Sequence, residues 1–144
     1  AQTFGAGVLP GESRAVVAFC RAASEGKPLV LKTRGRSEAN YVYGSDAVSA
    51  LLTILLDGSR MEAYTVANEA CHTTIAEMAD LVARTVGAPG ARVVFDIDED
   101  NSDGFAADVK LNLSAKKLRS LGWEPAVNLP EAMSRLVAYL GEQG

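Results

Sequence analysis

The chain has 144 residues, 48% of them apolar and 22% charged, with a formal net charge of −4. That is enough for one domain with its own core, in the balance of a globular protein. The acidic charge speaks against a nucleic-acid binder, which clusters cations, and no apolar run nears the ~20 residues of a membrane span. Two cysteines and one histidine are too few for a structural zinc site. With no basic start followed by an apolar stretch, and no demand for disulfides, a cytoplasmic setting is the expectation.

The chain opens AQTFGAGVLPGESR. AQTF reads as a strand and GAGVLPG as a turn. A strand that starts at residue 1 suggests a cut through a larger fold. SRAVVAFCRAASEG carries apolar residues at helical spacing, with Cys20 as a core thiol, and closes on Gly26 ahead of Pro28. PLVLKT (28–33) and NYVYG (40–44) are β-rich runs. Ser45-Asp46 starts a helix through AVSALLTILL that stops at Gly58. AYTVAN (63–68) is the next strand candidate. Thr74 and Glu77 form a capping box for a helix with Ile75, Met78, Leu81, Val82 and Val86 on one face. RVVFDI (92–97) is a strand, followed by the acidic stretch DEDNSDG. Ser114 caps a short helix, AKKLRSLG, and Pro130 sits in the first turn of the last helix. About five helices and four to five short strands make the class α/β, with an α+β-like character.

The glycine loop fails as a dinucleotide fingerprint. Gly5 and Gly7 have the first spacing of G-x-G-x-x-G, but position 10 is proline and the third glycine is Gly11. No Gly-Lys-Ser/Thr makes it a P-loop. No tyrosine has a lysine four residues on: Tyr41, Tyr43, Tyr64 and Tyr139 are followed there by Ser45, Ala47, Asn68 and Gln143. His72, the sole histidine, reads as a local hydrogen-bonding residue before a helix. The acidic residues Asp96, Asp98, Glu99, Asp100 and Asp103 lack the EF-hand spacing and read as a solvated loop. KTRGR (32–36) reads as a solvated turn, with an anion grip as the alternative. No catalytic residue and no metal ligand is assigned.

Several stretches, in order, resemble the C-terminal half of the extended short-chain dehydrogenase/reductase family, the NAD-dependent sugar epimerases and dehydratases. QTFGAGV is similar to that family's N-V-Y-G-P-G segment. GKPLVLKTRGRSEANYVYGSDAVSALLTIL is similar to its G-x-P-(L/I)-x-(I/V)-x-G-x-G-x-x-x-R-(D/N)-(F/Y)-x-Y-V-x-D-x-(V/A)-x-A stretch. EAYTVANE resembles G-E-x-Y-N-(I/V)-(G/A)-x-x, and LSAKKLRSLGWEPAVNLPEAM resembles D-x-x-K-A-x-x-x-L-G-W-x-P-x-x-x-L-x-E-G. The Leu-Gly-Trp-x-Pro element is the most specific piece.

The resemblance implies a single substrate-binding portion over 1–144. The N-terminal Rossmann domain, with its glycine loop and Tyr-x-x-x-Lys pair, is absent. NAD or NADP would serve the parent enzyme, and this chain alone would bind neither and be inactive. The substrate would be a sugar or nucleotide-sugar, walled by Gln2, Thr3, Phe4, Lys32, Arg36, Tyr41 and Phe105. The family's phosphate-gripping arginines fall at Ala39 and near Phe105 or Ala106, and its Asn before Val-Tyr-Gly falls at Gln2. AQTF and AYTVAN would lack their strand partners, so the open edges would drive homo-oligomerisation. The alternative is a stand-alone, non-catalytic binding or assembly module.

Overall fold

A computed structural model describes residues 1–9, 11–97, 104 and 107–142. In chain order the elements are β1 (Gln2–Phe4), α1 (Ala15–Ser24), β2 (Leu29–Leu31), β3 (Glu38–Tyr43), α2 (Gly44–Asp57), a 3₁₀ turn (Glu69–Cys71), β4 (His72–Thr74), α3 (Ile75–Val86), β5 (Val93–Phe95), α4 (Lys116–Arg119) and α5 (Leu129–Glu142). The α/β class stands.

The helix signals of the sequence work locally. At the end of α1, Gly26 N–H reaches the Ala23 carbonyl and Lys27 N–H the Ala22 carbonyl, a Schellman closure. Gly26 sits at φ +69°, and a Cβ there would meet the Pro89 carbonyl oxygen at 2.5 Å. Thr74 and Glu77 make the full capping box of α3. Asn128 caps α5 by accepting Glu131 N–H at 3.0 Å, with Pro130 inside the first turn. Two signals are displaced. Ser45-Asp46 does not cap α2, which starts one residue earlier with Tyr43 as its N-cap residue. Ser114 stands one residue before the N-cap residue of α4, Ala115, and its hydroxyl accepts Lys116 N–H at 3.3 Å.

Two small sheets carry the strands. One runs β1-β3-β4, with β1 parallel and β4 antiparallel to β3; the other pairs β2 with β5 in parallel. The expectation that AQTF lacks its partner is corrected: Gln2, Thr3 and Phe4 pair with Tyr41, Val42 and Tyr43. AYTVAN is not a strand. Among the described residues nothing supplies it a ladder, and the Val66 carbonyl accepts only the Ala1 nitrogen, at 3.2 Å. A strand is instead built from His72–Thr74, because its backbone lies opposite Glu38–Asn40. Pairing, not β-propensity, decides which extended segments become strands.

The main core lies between α1, α3 and α5, with Val17, Cys20, Met78, Val82, Met133 and Leu136 fully buried and Leu29 beneath them. Each side chain of this size contributes about 1.5–3 kcal/mol on burial. Burial pushes the Cys20 thiol up to about 12, so it stays protonated. The α3 stripe is core as expected, with Ile75, Leu81 and Val86 packed at its margin. A second cluster gathers Ala50, Ala67, Ala115, Leu118 and Trp123. Trp123 therefore covers the junction between α4 and α2, and its indole N–H donates to Ser49 Oγ at 3.0 Å.

Candidate functional site

Ligands of parallel α/β sheets bind beyond the carboxyl ends of the strands, so the ends of β1 and β3 are the place to build from. Phe4 closes β1 and stands edge-on to Tyr41, ring centroids 6.0 Å apart, and to Tyr43, 6.3 Å apart. Both tyrosines belong to β3. Phe4 and Tyr41 are buried, and burial pushes the Tyr41 phenol up to about 12, so it stays neutral. The Arg135 guanidinium lies over the Tyr43 ring, 5.5 Å from its centroid. Gln2 and Thr3, two residues and one residue before Phe4, are exposed, and the Thr3 carbonyl accepts from Arg14 Nη1.

The same strand end accounts for the glycine loop. Gly5 has φ +146°, and a Cβ on it would fall 2.7 Å from Tyr43 Cε2. This glycine makes room for an aromatic ring, not for a pyrophosphate. The loop enters α1 through Arg14, whose guanidinium is held by Glu12 at 3.1 Å, and Arg14 has no side-chain cap bond to the helix. The loop lacks the third glycine of a dinucleotide fingerprint, and no step of hydride chemistry is assigned to its described residues.

Lys32 and Arg36 lie on the loop between β2 and β3. The Lys32 ammonium pairs with Asp96, just past the end of β5. Arg36 is exposed. Between them, Gly35 turns the backbone at φ +63° and approaches α3 so closely that a Cβ would meet Ala76 N at 2.8 Å. The Ser37 and Gly35 carbonyls then accept the N–H groups of Ile75 and Ala76, both at 3.0 Å. The start of α3 is already satisfied by loop carbonyls and by its capping box. Its free N–H groups, the feature that would draw an anion, are spent. The solvated-turn reading of KTRGR has this helix-capping role added to it.

A buried polar chain joins β3 to the rest of the fold. Asn40 is fully buried; its Oδ1 accepts Leu113 N–H at 2.6 Å and its Nδ2 donates to the Asn68 carbonyl at 3.3 Å. Asn68 in turn donates to the Val127 carbonyl at 3.2 Å. Asp46, 4% exposed, accepts Ala126 and Val127 N–H through one oxygen, at 3.1 and 3.0 Å. Cys71 Sγ also approaches the Val127 carbonyl, at 3.9 Å. These residues hold the 111–127 segment against β3. The sequence reading missed them as a set, although the N-Y-x-Y-x-x-D spacing from Asn40 to Asp46 was the signal.

His72 Nε2 stands 3.2 Å from Glu38 Oε2 across β4 and β3. Among the proposed pocket residues, the fold brings Gln2, Thr3, Phe4 and Tyr41 together through the β1–β3 register. Lys32 is set apart at the end of the β2–β5 pair. Phe105, Ala106, Pro10 and most of the acidic loop, Asp98, Glu99, Asp100 and Asp103, lie outside the described residues. Among the described residues no group of His, Cys, Asp and Glu could hold a metal ion, and no helix is long and apolar enough to cross a membrane.

No family model matches the chain. It is 27% identical over 141 residues to UDP-glucuronic acid decarboxylase 1 of Xenopus tropicalis, covering 98% of this chain and 32% of that protein. It superposes on a crystal structure of UDP-glucose 4-epimerase with UDP-glucose from Thermotoga maritima with a TM-score of 0.82 and 26% identity, covering 99% of this chain and 44% of that one. The Thermus thermophilus UDP-glucose 4-epimerase complex with NAD shares the fold, with a TM-score of 0.72 and 24% identity over 96% of this chain and 44% of that one. The chain thus spans about a third of the curated relative it matches and under half of the solved enzymes. By sequence and by fold, then, this chain is similar to NAD-dependent sugar epimerases, dehydratases and decarboxylases, matched over less than half of their length.

Proposed function

We propose that the chain is the substrate-binding, C-terminal portion of an NAD-dependent epimerase or dehydratase acting on a sugar or nucleotide-sugar. The observation that carries this reading is the match of 99% of the chain to 44% of a UDP-glucose 4-epimerase at a TM-score of 0.82. The cofactor belongs to the remaining part of such an enzyme. In support, Gly5 packs on the Tyr43 ring, and the loop lacks the third glycine of a dinucleotide fingerprint.

On this reading Gln2, Thr3, Phe4 and Tyr41, which the β1–β3 register brings together, wall the sugar, and the family resemblance adds Lys32, Arg36 and Phe105 as further lining. Gln2, Thr3 and Arg36 offer exposed side chains. Phe4 and Tyr41 would act from beneath, as the rigid aromatic support of the strand ends. The chain contributes orientation and exclusion of water, and by itself is inactive.

The test has two arms. The purified 144-residue chain is titrated with NAD and NADH by calorimetry, and the full-length product of the gene is assayed with NAD and UDP- or dTDP-linked hexoses. No saturable NAD binding by the short chain, with turnover by the long one, is the expected result. Micromolar NAD binding by the short chain would overturn the division of labour. A full-length product that binds NAD but turns over no sugar would overturn the substrate class.

A further inference from the structure

A cleft of about 630 Å³ opens between the loop after β1, the end of α1 and the last turns of α5. That is the size of a small-molecule site. None of Gln2, Thr3, Phe4, Lys32, Arg36 and Tyr41 lines it. Its apolar side is formed by Val8, Val137 and Leu140, which pack on the margin of the main core. Gly7 and Gly141 border it, and a Cβ on either would meet no described atom within 4 Å. Gly141 lies inside α5, where glycine is the least favoured residue after proline, and a side chain there would fill the cleft.

One charge in the cleft is unopposed. Among the described residues Arg21, in the last turn of α1, makes no ion pair, and its guanidinium donates only to the Leu9 carbonyl, at 3.4 Å. That is longer than an ordinary N–H···O bond. Glu25, the acid that borders the same cleft, is paired with Lys27. The Ala22 and Ala23 carbonyls at the end of α1 already accept from Lys27 and Gly26 N–H. A planar guanidinium matches a carboxylate with two parallel bonds, each shorter and stronger than one to a neutral carbonyl.

We infer that this cleft is a second ligand site, for an organic carboxylate with an apolar body. The head group lies on Arg21, replacing its long bond to Leu9, and the body lies on Val8, Val137 and Leu140. The site is separate from the residues that wall the sugar, and it stands or falls independently of that reading.

The probe is octanoate, with octylamine and octanol as its cationic and neutral counterparts. Each is titrated into the 144-residue chain and followed by the amide resonances of Gly7 and Gly141. Octanoate is expected to saturate at millimolar concentration and to shift both resonances, with the two counterparts binding about tenfold more weakly or worse. Arg21→Gln is expected to weaken octanoate about tenfold and to leave octanol unchanged. Gly141→Phe, on a helix with open space before it, is expected to abolish octanoate binding without lowering thermal stability. Should that variant fail to fold, Arg21→Gln, on the surface of α1, still decides. Equal affinity for the three probes, octanoate binding that survives Arg21→Gln at full strength, or no saturation at all would overturn the inference. Shifts confined to Gln2–Phe4 and Glu38–Tyr43 would overturn it too, because the carboxylate would then sit at the strand ends.

Discussion

Asp46, in the first turn of α2, accepts the backbone N–H of Val127 at 3.0 Å across 81 residues of chain. The same oxygen takes Ala126 N–H, so one buried carboxylate fixes the entry to α5. Asp46→Ala leaves two backbone donors without a partner, at about 1–3 kcal/mol each. The expected loss is about 2–4 kcal/mol by denaturant unfolding, with Asp46→Asn, which keeps an acceptor oxygen, costing less than half of that. Equal loss in both variants would show that charge and not hydrogen bonding holds the segment.

Gly5 and Tyr43 give a second test. Gly5→Ala combines a positive backbone φ with a Cβ 2.7 Å from the ring, whereas Gly7, at φ +90°, has open space around it. Both substitutions carry backbone strain of roughly 1 kcal/mol, and only the first adds a clash, so Gly5→Ala is expected to lower stability by about 1–3 kcal/mol more. Thermal unfolding of the pair checks this.

Trp123 is the sole tryptophan and 3% exposed. Trp123→Ala is expected to cost about 3–5 kcal/mol. Trp123→Phe loses the bond to Ser49 and part of the packing, and costs less. A Trp123→Ala chain with unchanged thermal stability would make the residue a binding platform instead.

The capping box predicts an acid-side effect. Glu77 accepts Thr74 N–H at 3.0 Å, and this backbone bond, with the Thr74 hydroxyl, holds its carboxyl below the ordinary value of 4.5. A depressed folded pKa means stability that is fully present above the unfolded value and is lost as pH falls through the folded one. Glu77→Gln should therefore be less stable than the parent at neutral pH, and the gap should close as the pH is taken below 4.5. Thr74→Ala is expected to cost about 1 kcal/mol at neutral pH. Thermal unfolding at several pH values tests both.

The short-range features of this protein were written into its sequence. Gly26, the Thr74–Glu77 box, Asn128 with Pro130 and the α3 stripe act within a few residues of themselves, so spacing alone located four of the helices to within a residue or two. The motif resemblance named the family for the same reason: it is carried by local spellings such as Leu-Gly-Trp-x-Pro. Tertiary structure decided what depends on distant partners. AYTVAN has strand composition but, among the described residues, no neighbouring strand to complete a ladder, while the polar His72–Thr74 becomes one because Glu38–Asn40 lies beside it. Asp46, read as a helix start, is a buried acceptor for Ala126 and Val127, and Asn40 is bound to Leu113 and Asn68. These pairings span 28 to 81 residues of sequence, and no local pattern encodes which of two distant segments a buried polar atom will find. The aliphatic run of α2 shows the same division. Its spacing located the helix, and only the packed fold revealed that one side of it, Val48 to Leu56, is exposed among the described residues.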